Sequence, residues 1–291
     1  MIYLDNAATT KMYEELLGIY KEFGCDIFFN PSALYKKSLD VAVRIRQAKA
    51  DLAEILGANH NEIIFTGSAT EANNMALRGA IRANTGIVIS AGEHPSVYNT
   101  AVSLKNNGIS CEVIPLNKNG QIDQEKLYNY LAHNKVSVVS IIHASNETGA
   151  INDIKEISKN IKSISPSTLF HSDGVQAFGK IAVKNLGVDL YSFSAHKIKG
   201  PKGIGALYIK KGVHLNPLIT GGGQENNLRS GTENVANIIA FSKAAKLFSS
   251  QYDYNKMLEL KKAFIEILTS EIENIFFTIS DIYSTMPHII S

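Results

Sequence analysis

Helical and extended patterns alternate along most of this chain, and few folds accept such an order. From 35 to 56 the apolar residues Leu39, Val43, Ile45, Ala48, Leu52, Ile55 and Leu56 recur at helical spacing and stop at Gly57. A strand pattern follows at 62–66, a helix at 70–83, a strand at 86–90 and a helix at 97–107 ended by Gly108. Next come an extended stretch at 111–115, a helix at 123–132, a β-branched stretch at 136–143 and a helix at 154–164. The stretches 168–172, 189–194 and 205–210 are again extended. This order predicts an α/β fold, a mostly parallel sheet sandwiched by helices. Functional groups in that architecture gather at the carboxyl ends of the strands.

Two helical stretches, 234–250 and 256–275, flank a break at Gln251-Tyr252-Asp253. The break predicts a large α/β domain over 14–252, with 1–13 and 253–291 forming a partial, smaller α+β domain. The stretches 276–279 and 288–291 read as strands, and the second has no partner, which predicts a truncated polypeptide. A net charge of +2 supplies no attraction to nucleic acid or to a membrane. No apolar run approaches the roughly 20 residues of a membrane span. The first residues lack the basic start and apolar core of a secretion signal. Cys25 and Cys111 form neither a metal-spacing cluster nor a disulfide framework, so a cytoplasmic location is expected.

The chemistry concentrates in Ser192-Phe193-Ser194-Ala195-His196-Lys197, followed by the glycines 200, 203 and 205. A lysine beside an apolar strand is partly desolvated, and its amine becomes nucleophilic. Hydroxyls and glycine N–H groups around it suit a phosphate. An amine with a phosphate cradle is what pyridoxal phosphate requires; the alternative is a Gly-Pro turn with a solvated lysine. Asp173 follows a strand, where a carboxylate either caps a helix or pairs with a pyridinium nitrogen, and Gln176 lies three residues on. Thr66 to Asn74 joins a strand to a helix whose first N–H groups, with Ala69 and Thr70, could bind phosphate or carry a plain cap. His94 follows a strand end, as a structural polar group or as an imidazole that stacks on a planar ring or moves a proton. Asn146 is either a turn asparagine or a partner for a ring oxygen or substrate carboxylate. Arg229 could grip a carboxylate bidentately, and Thr232 could cap the next helix or reach a phosphate. Gly174 to Lys180 has the spacing of a nucleotide-phosphate loop, but Ile181 stands where that loop needs a Ser or Thr.

The ordered set resembles the cysteine desulfurases of the class V aminotransferase family, fold-type I pyridoxal phosphate enzymes. It runs from Tyr3-Leu4-Asp5-Asn6-Ala7-Ala8-Thr9-Thr10 through Asn30-Pro31-Ser32, Thr66–Asn74, Glu93-His94, Asn146–Gly149, His171–Gln176, Ser194–Lys197 and 200–205 to Arg229–Asn234. The resemblance implies that Lys197 bonds the cofactor aldehyde, that Asp173 pairs with the ring nitrogen and Gln176 with the ring hydroxyl, and that His94 stacks on the ring and takes part in catalysis. It implies that Ala69, Thr70, Ser194 and His196 hold the phosphate, with Thr232 reaching over from a second subunit of a homodimer. Asn146 would sit near the ring and the substrate carboxylate. The implied reaction converts L-cysteine to L-alanine and passes sulfur through an enzyme thiolate to an acceptor such as an iron–sulfur scaffold protein.

The chain departs from this pattern in places. The family's nucleophilic cysteine and carboxylate-binding arginine lie in a segment beyond Ser291, and neither Cys25 nor Cys111 takes the cysteine's role. Impaired turnover is therefore expected of these 291 residues. Asn226-Asn227 replaces a frequent glycine and Tyr35 a common histidine. A selenocysteine lyase or another class V aminotransferase, and a non-catalytic dimeric scaffold for sulfur-transfer partners, are the competing readings; only the enzymes need Lys197.

Overall fold

A computed structural model describes residues 2–279 and 281–291; Met1 and Ser280, inside the ranges expected for the small domain, lie outside the described residues. The helices are α1 (Leu17–Lys21), α2 (Lys36–Leu56), α3 (Ala69–Gly79), α4 (Pro95–Asn106), α5 (Gln124–His133), α6 (Ile154–Ile164), α7 (Val235–Gln251) and α8 (Tyr254–Glu271). The strands are β1 (Ile63–Thr66), β2 (Gly86–Ser90), β3 (Cys111–Ile114), β4 (Val136–Ser140), β5 (Leu169–Asp173), β6 (Leu190–Ser194) and β7 (Gly205–Ile209).

They form one seven-stranded sheet in the order β1-β7-β6-β5-β4-β2-β3. β6, β5, β4, β2 and β3 run parallel, while β7 is antiparallel to both of its neighbours. The mostly parallel sheet is thus present, with β7 inserted backwards.

Period-two alternation along the strands sorts their side chains into two layers. Ile63, Phe65, Val88, Val139 and Phe193 pack with Val41, Ile45 and Leu52 of α2, Ile157 and Ile161 of α6, and Phe241 of α7. Ile64, Ile87, Ile89, Val138 and Leu207 face the other way, onto Met75 and Leu77 of α3 and Val97 and Ala101 of α4. Both faces are apolar because both are covered, as a parallel sheet requires. α2 stops at Gly57, whose φ of 70° is the left-handed cap that glycine accepts most readily.

The two terminal strands do not form. Residues 276–279 and 288–291 carry no ladder, and a 3.0 Å bond from Thr278 N to Ser291 O is a backbone tie between them. Met286 and Ile289 are buried in the main core, while Phe276 is 87% exposed. Separate anchoring of apolar side chains has won over pairing here. The expected break lies between α7 and α8 but is shorter, Tyr252 and Asp253, because Gln251 ends α7.

The register places Thr66 of β1, Ser194 of β6 and the start of β7, Gly205, on one edge of the sheet. Parallel pairing brings the ends of β2, β4 and β5 to the same side. The segments after these strand ends build the site.

Candidate active site

A cavity of about 280 Å³ opens at that edge. Its lining includes Ala69, Thr70, His94, Asn146, Asp173, Gln176, His196 and Lys197, so eight of the ten residues expected from the sequence meet there. Ser194 is buried beside it, its hydroxyl donating to the Ile204 carbonyl at 3.4 Å. Thr232 lines a neighbouring cavity of about 270 Å³ with Thr66, Gly67 and Gly203. Asn234, not Thr232, caps α7. Arg229 already has its carboxylate: Nε and Nη2 donate to the two oxygens of Glu71 at 2.8 and 3.4 Å.

One end of the cavity is the start of α3. Ser68 caps it by accepting from Glu71 N at 3.2 Å, and the helical pattern leaves the N–H groups of Ala69 and Thr70 to face an anion. Gly205 passes directly beneath. A Cβ there would lie 2.5 Å from Ser68 C and 2.6 Å from Ala69 N, so β7 can approach the turn this closely only as glycine.

At the other end stands Asp173. Its carboxylate accepts from Asn73 Nδ2 at 2.7 Å and from Val175 N at 3.0 Å. Burial pushes this carboxyl above its usual range, with those donors and the His94 and Lys197 side chains acting the other way. A cation in the cavity, such as a protonated ring nitrogen, would return it to the ionised form.

Lys197 Nζ donates to the carbonyls of Ala7 at 2.5 Å and Ala8 at 2.6 Å. Burial holds its ammonium below the usual lysine range, against the pull of Asp173 and Asp5. The segment that supplies these carbonyls is stitched down further: Thr10 Oγ1 donates to His196 O at 2.7 Å and accepts from Lys199 N at 2.8 Å. His196 is held at about 4 by burial and then by the cations of Lys197, Lys202 and Lys180, so its ring is neutral.

His94 caps α4 with its ring, Nδ1 accepting from Ser96 N at 3.1 Å. Nδ1 is therefore the acceptor nitrogen, and the ring proton sits on Nε2. Sequence reasoning missed Asn73, Ser96 and Ala8 as parts of the site. Asn73 lies one turn after Thr70 on the inner face of α3, and that helical offset was the available signal. The two cysteines stand apart, Cys25 exposed and Cys111 half-buried in β3, and neither lines the cavity.

The lining therefore combines an anion cradle, a buried carboxylate in need of a cation and a partly desolvated amine. These suit a molecule with a phosphate, a basic ring nitrogen and a carbonyl.

The sequence profile of the family described as "Aminotransferase class-V" matches residues 2–286. The chain is 40% identical over 294 residues to the cysteine desulfurase IscS of Dictyoglomus turgidum, covering 98% of this chain and 72% of that protein. It spans between 62% and 72% of the length of this and other curated cysteine desulfurases that it matches. Among solved structures, the NifS-like protein from Rickettsia africae superposes with a TM-score of 0.89 at 35% identity, covering 99% of this chain and 79% of that one. A structure described as "SspA in complex with cysteine" gives 0.82 at 31% identity, covering 93% and 78%. No helix among the described residues is long and apolar enough to cross a membrane.

Proposed function

The chain belongs to the class V aminotransferase family and resembles the cysteine desulfurases within it, and from that premise we propose that its cavity holds pyridoxal phosphate and acts on L-cysteine. The full reaction would yield L-alanine and pass sulfur to an acceptor protein, with an iron–sulfur scaffold as the expected acceptor. It needs a thiolate to take the sulfur from cysteine, and since neither Cys25 nor Cys111 lines the cavity, turnover by these residues alone is expected to be impaired. The observation that carries this reading is the convergence of Lys197 and Asp173 on one cavity that also contains the start of α3. The similarity to SspA, whose solved structure is a complex with cysteine, supports the substrate class. A homodimer in the cytoplasm, with 14–252 as the large domain and 1–13 with 253–291 as the small one, completes the proposal.

Bound pyridoxal phosphate supplies an aldehyde for an amine and a conjugated ring that accepts the charge left when the substrate Cα–H bond breaks. The residues around it divide the remaining work. The N–H groups of Ala69 and Thr70, with the side chains of Thr70, His196 and Ser194, would bind the phosphate. Asp173 would keep a proton on the ring nitrogen. His94 would cover the ring face, and its Nε2 proton is available to the substrate side. Lys197 Nζ would bond the aldehyde in the resting protein and, once displaced, move the Cα proton. Asn146 would lie by the ring and the substrate carboxylate, and Thr232 would serve the site of a second subunit.

The test is reconstitution. Apo protein mixed with pyridoxal phosphate should gain visible absorption that Lys197→Ala lacks, and L-cysteine should perturb that absorption. A chain that gains no absorption, or gains it equally without Lys197, contradicts the proposal.

A further inference from the structure

The segment Gly174 to Lys180 imitates a nucleotide-phosphate loop in spacing, and its lysine takes no part in the chemistry described above. The structure gives Lys180 a different position. Its side chain is only 6% exposed. Among the described residues no carboxylate forms an ion pair with it. Burial, and then the nearby Lys197 cation, holds its ammonium at about 7. For packing alone, a methionine would fill the space without the cost of desolvating a charge.

Lys180 Nζ donates to Gln176 Oε1 at 3.1 Å. The same oxygen meets His288 Nε2, also at 3.1 Å. From the far side of the amide, Gln176 Nε2 donates to the Ala7 carbonyl at 2.8 Å. That carbonyl is one of the two that hold Lys197 Nζ. An amide turns over freely when its neighbours are indifferent to which end they meet. Protonated Lys180, the form present below about 7, is not indifferent, because an ammonium has donors and no acceptor. A turned amide would set its NH2 against the Lys180 donors. The Ala7 carbonyl, which only accepts, holds the nitrogen on the cavity side, and protonated Lys180 holds the oxygen on the other, so the two together set the amide and leave its second N–H proton for the cavity that Gln176 lines.

We propose that Lys180 is a positioning residue that, together with the Ala7 carbonyl, locks the Gln176 amide, so that an N–H donor faces the ring oxygen of a bound pyridoxal ring. The proposal rests on the cavity reading given under the proposed function. A fixed donor favours the ring oxygen in its ionised form and gives nothing to a ring that lacks that oxygen.

The test titrates the full chain at about pH 6, where Lys180 is protonated, by equilibrium dialysis, with pyridoxal phosphate and with its 3-deoxy analogue, which lacks the ring hydroxyl. Lys180→Met should weaken pyridoxal phosphate by roughly five- to tenfold, the worth of about one hydrogen bond. It should leave the 3-deoxy analogue within about twofold, the usual scatter between independent effects. Gln176→Ala should give the same pair of results, and Lys180→Met added to it should change nothing further. Equal losses for both ligands, or losses that add in the double variant, would show a merely structural lysine and overturn the lock. A Lys180→Met chain that binds both ligands as the wild type does overturns it too. If the wild type binds neither ligand, the cavity reading itself fails and the lock falls with it. Should Lys180→Met not fold, Lys180→Gln takes its place, since that amide offers an oxygen as readily as an N–H and so removes the orientation; the same outcomes decide.

Discussion

Asn73 Nδ2 stands 2.7 Å from Asp173 Oδ2 and joins the inner face of α3 to the end of β5. The same nitrogen donates to Ser96 Oγ at 2.8 Å, and that hydroxyl lies 2.8 Å from His94 Nδ1. The carboxylate at one end of the cavity and the imidazole beside it thus belong to one hydrogen-bond network. Networks of this kind hold side chains in place only while every link is made.

Asn73→Ala breaks the network at its centre and leaves Asp173 with the Val175 N–H as its remaining hydrogen-bond donor. The buried carboxyl should then move further above its usual range, and the ring nitrogen should lose its proton more easily. We expect the apo protein to lose about 1–3 kcal/mol in denaturant unfolding, the cost of an unsatisfied buried polar group, together with weaker pyridoxal phosphate binding. Ser96→Ala should cost less on both measures, because Asp173 keeps its donor.

Gly205→Ala forces a Cβ to within 2.5 Å of Ser68 C, so the start of α3 must shift. Overpacking of this kind costs about 1–3 kcal/mol, which thermal unfolding will read. The shift falls on the Ala69 and Thr70 N–H groups proposed to bind the phosphate. Affinity for pyridoxal phosphate should therefore drop while affinity for pyridoxal, which has no phosphate, stays unchanged.

Glu93 supplies a pH dependence. Its Oε1 accepts from Ser90 Oγ at 2.5 Å and Ile142 N at 2.7 Å, and its Oε2 has no partner among the described residues. Burial first, and then the charge of Asp173, raises its carboxyl to about 8, against the lowering effect of the Ser90 and Ile142 bonds. The unfolded chain releases this proton near 4.5, while the folded chain keeps it to about 8. The folded state therefore binds more protons in that window, and stability from this group is full below 4.5 and falls as pH rises to 8. Glu93→Gln removes that slope. Guanidinium midpoints measured from pH 5 to pH 8 should show the variant gaining on the wild type as pH rises; a constant difference would refute the assignment.

The layers of this fold were legible because apolar residues recur at helical spacing in the helices, while the strands are short, mostly apolar runs of the kind a sheet covered on both faces requires. Ile45, Ala48 and Leu52 share the buried face of α2 as expected, whereas Leu39 and Val43, expected with them, are exposed and Val41 is buried instead. The strand-end residues Lys197, Asp173 and His94 were legible for a related reason, since parallel sheets collect chemistry at that edge. Asn73 was not, because its partner lies a hundred residues away and its own sequence context is that of an ordinary second helical turn. Lys180 was hidden by the imitation of a phosphate loop, and only the fold shows that its amine is buried against Gln176. Residues 276–279 and 288–291 were misread as strands because Ile279 and Ile289 are apolar for burial and not for pairing.

Everything in the proposed chemistry depends on which amine bonds the aldehyde. Apo protein incubated with pyridoxal phosphate, reduced with borohydride, digested and read by mass spectrometry will answer this directly. The account predicts one pyridoxyl adduct, on the peptide that contains Lys197. Adducts spread over neighbouring lysines such as Lys199 and Lys202, with Lys197 unmodified, would contradict it.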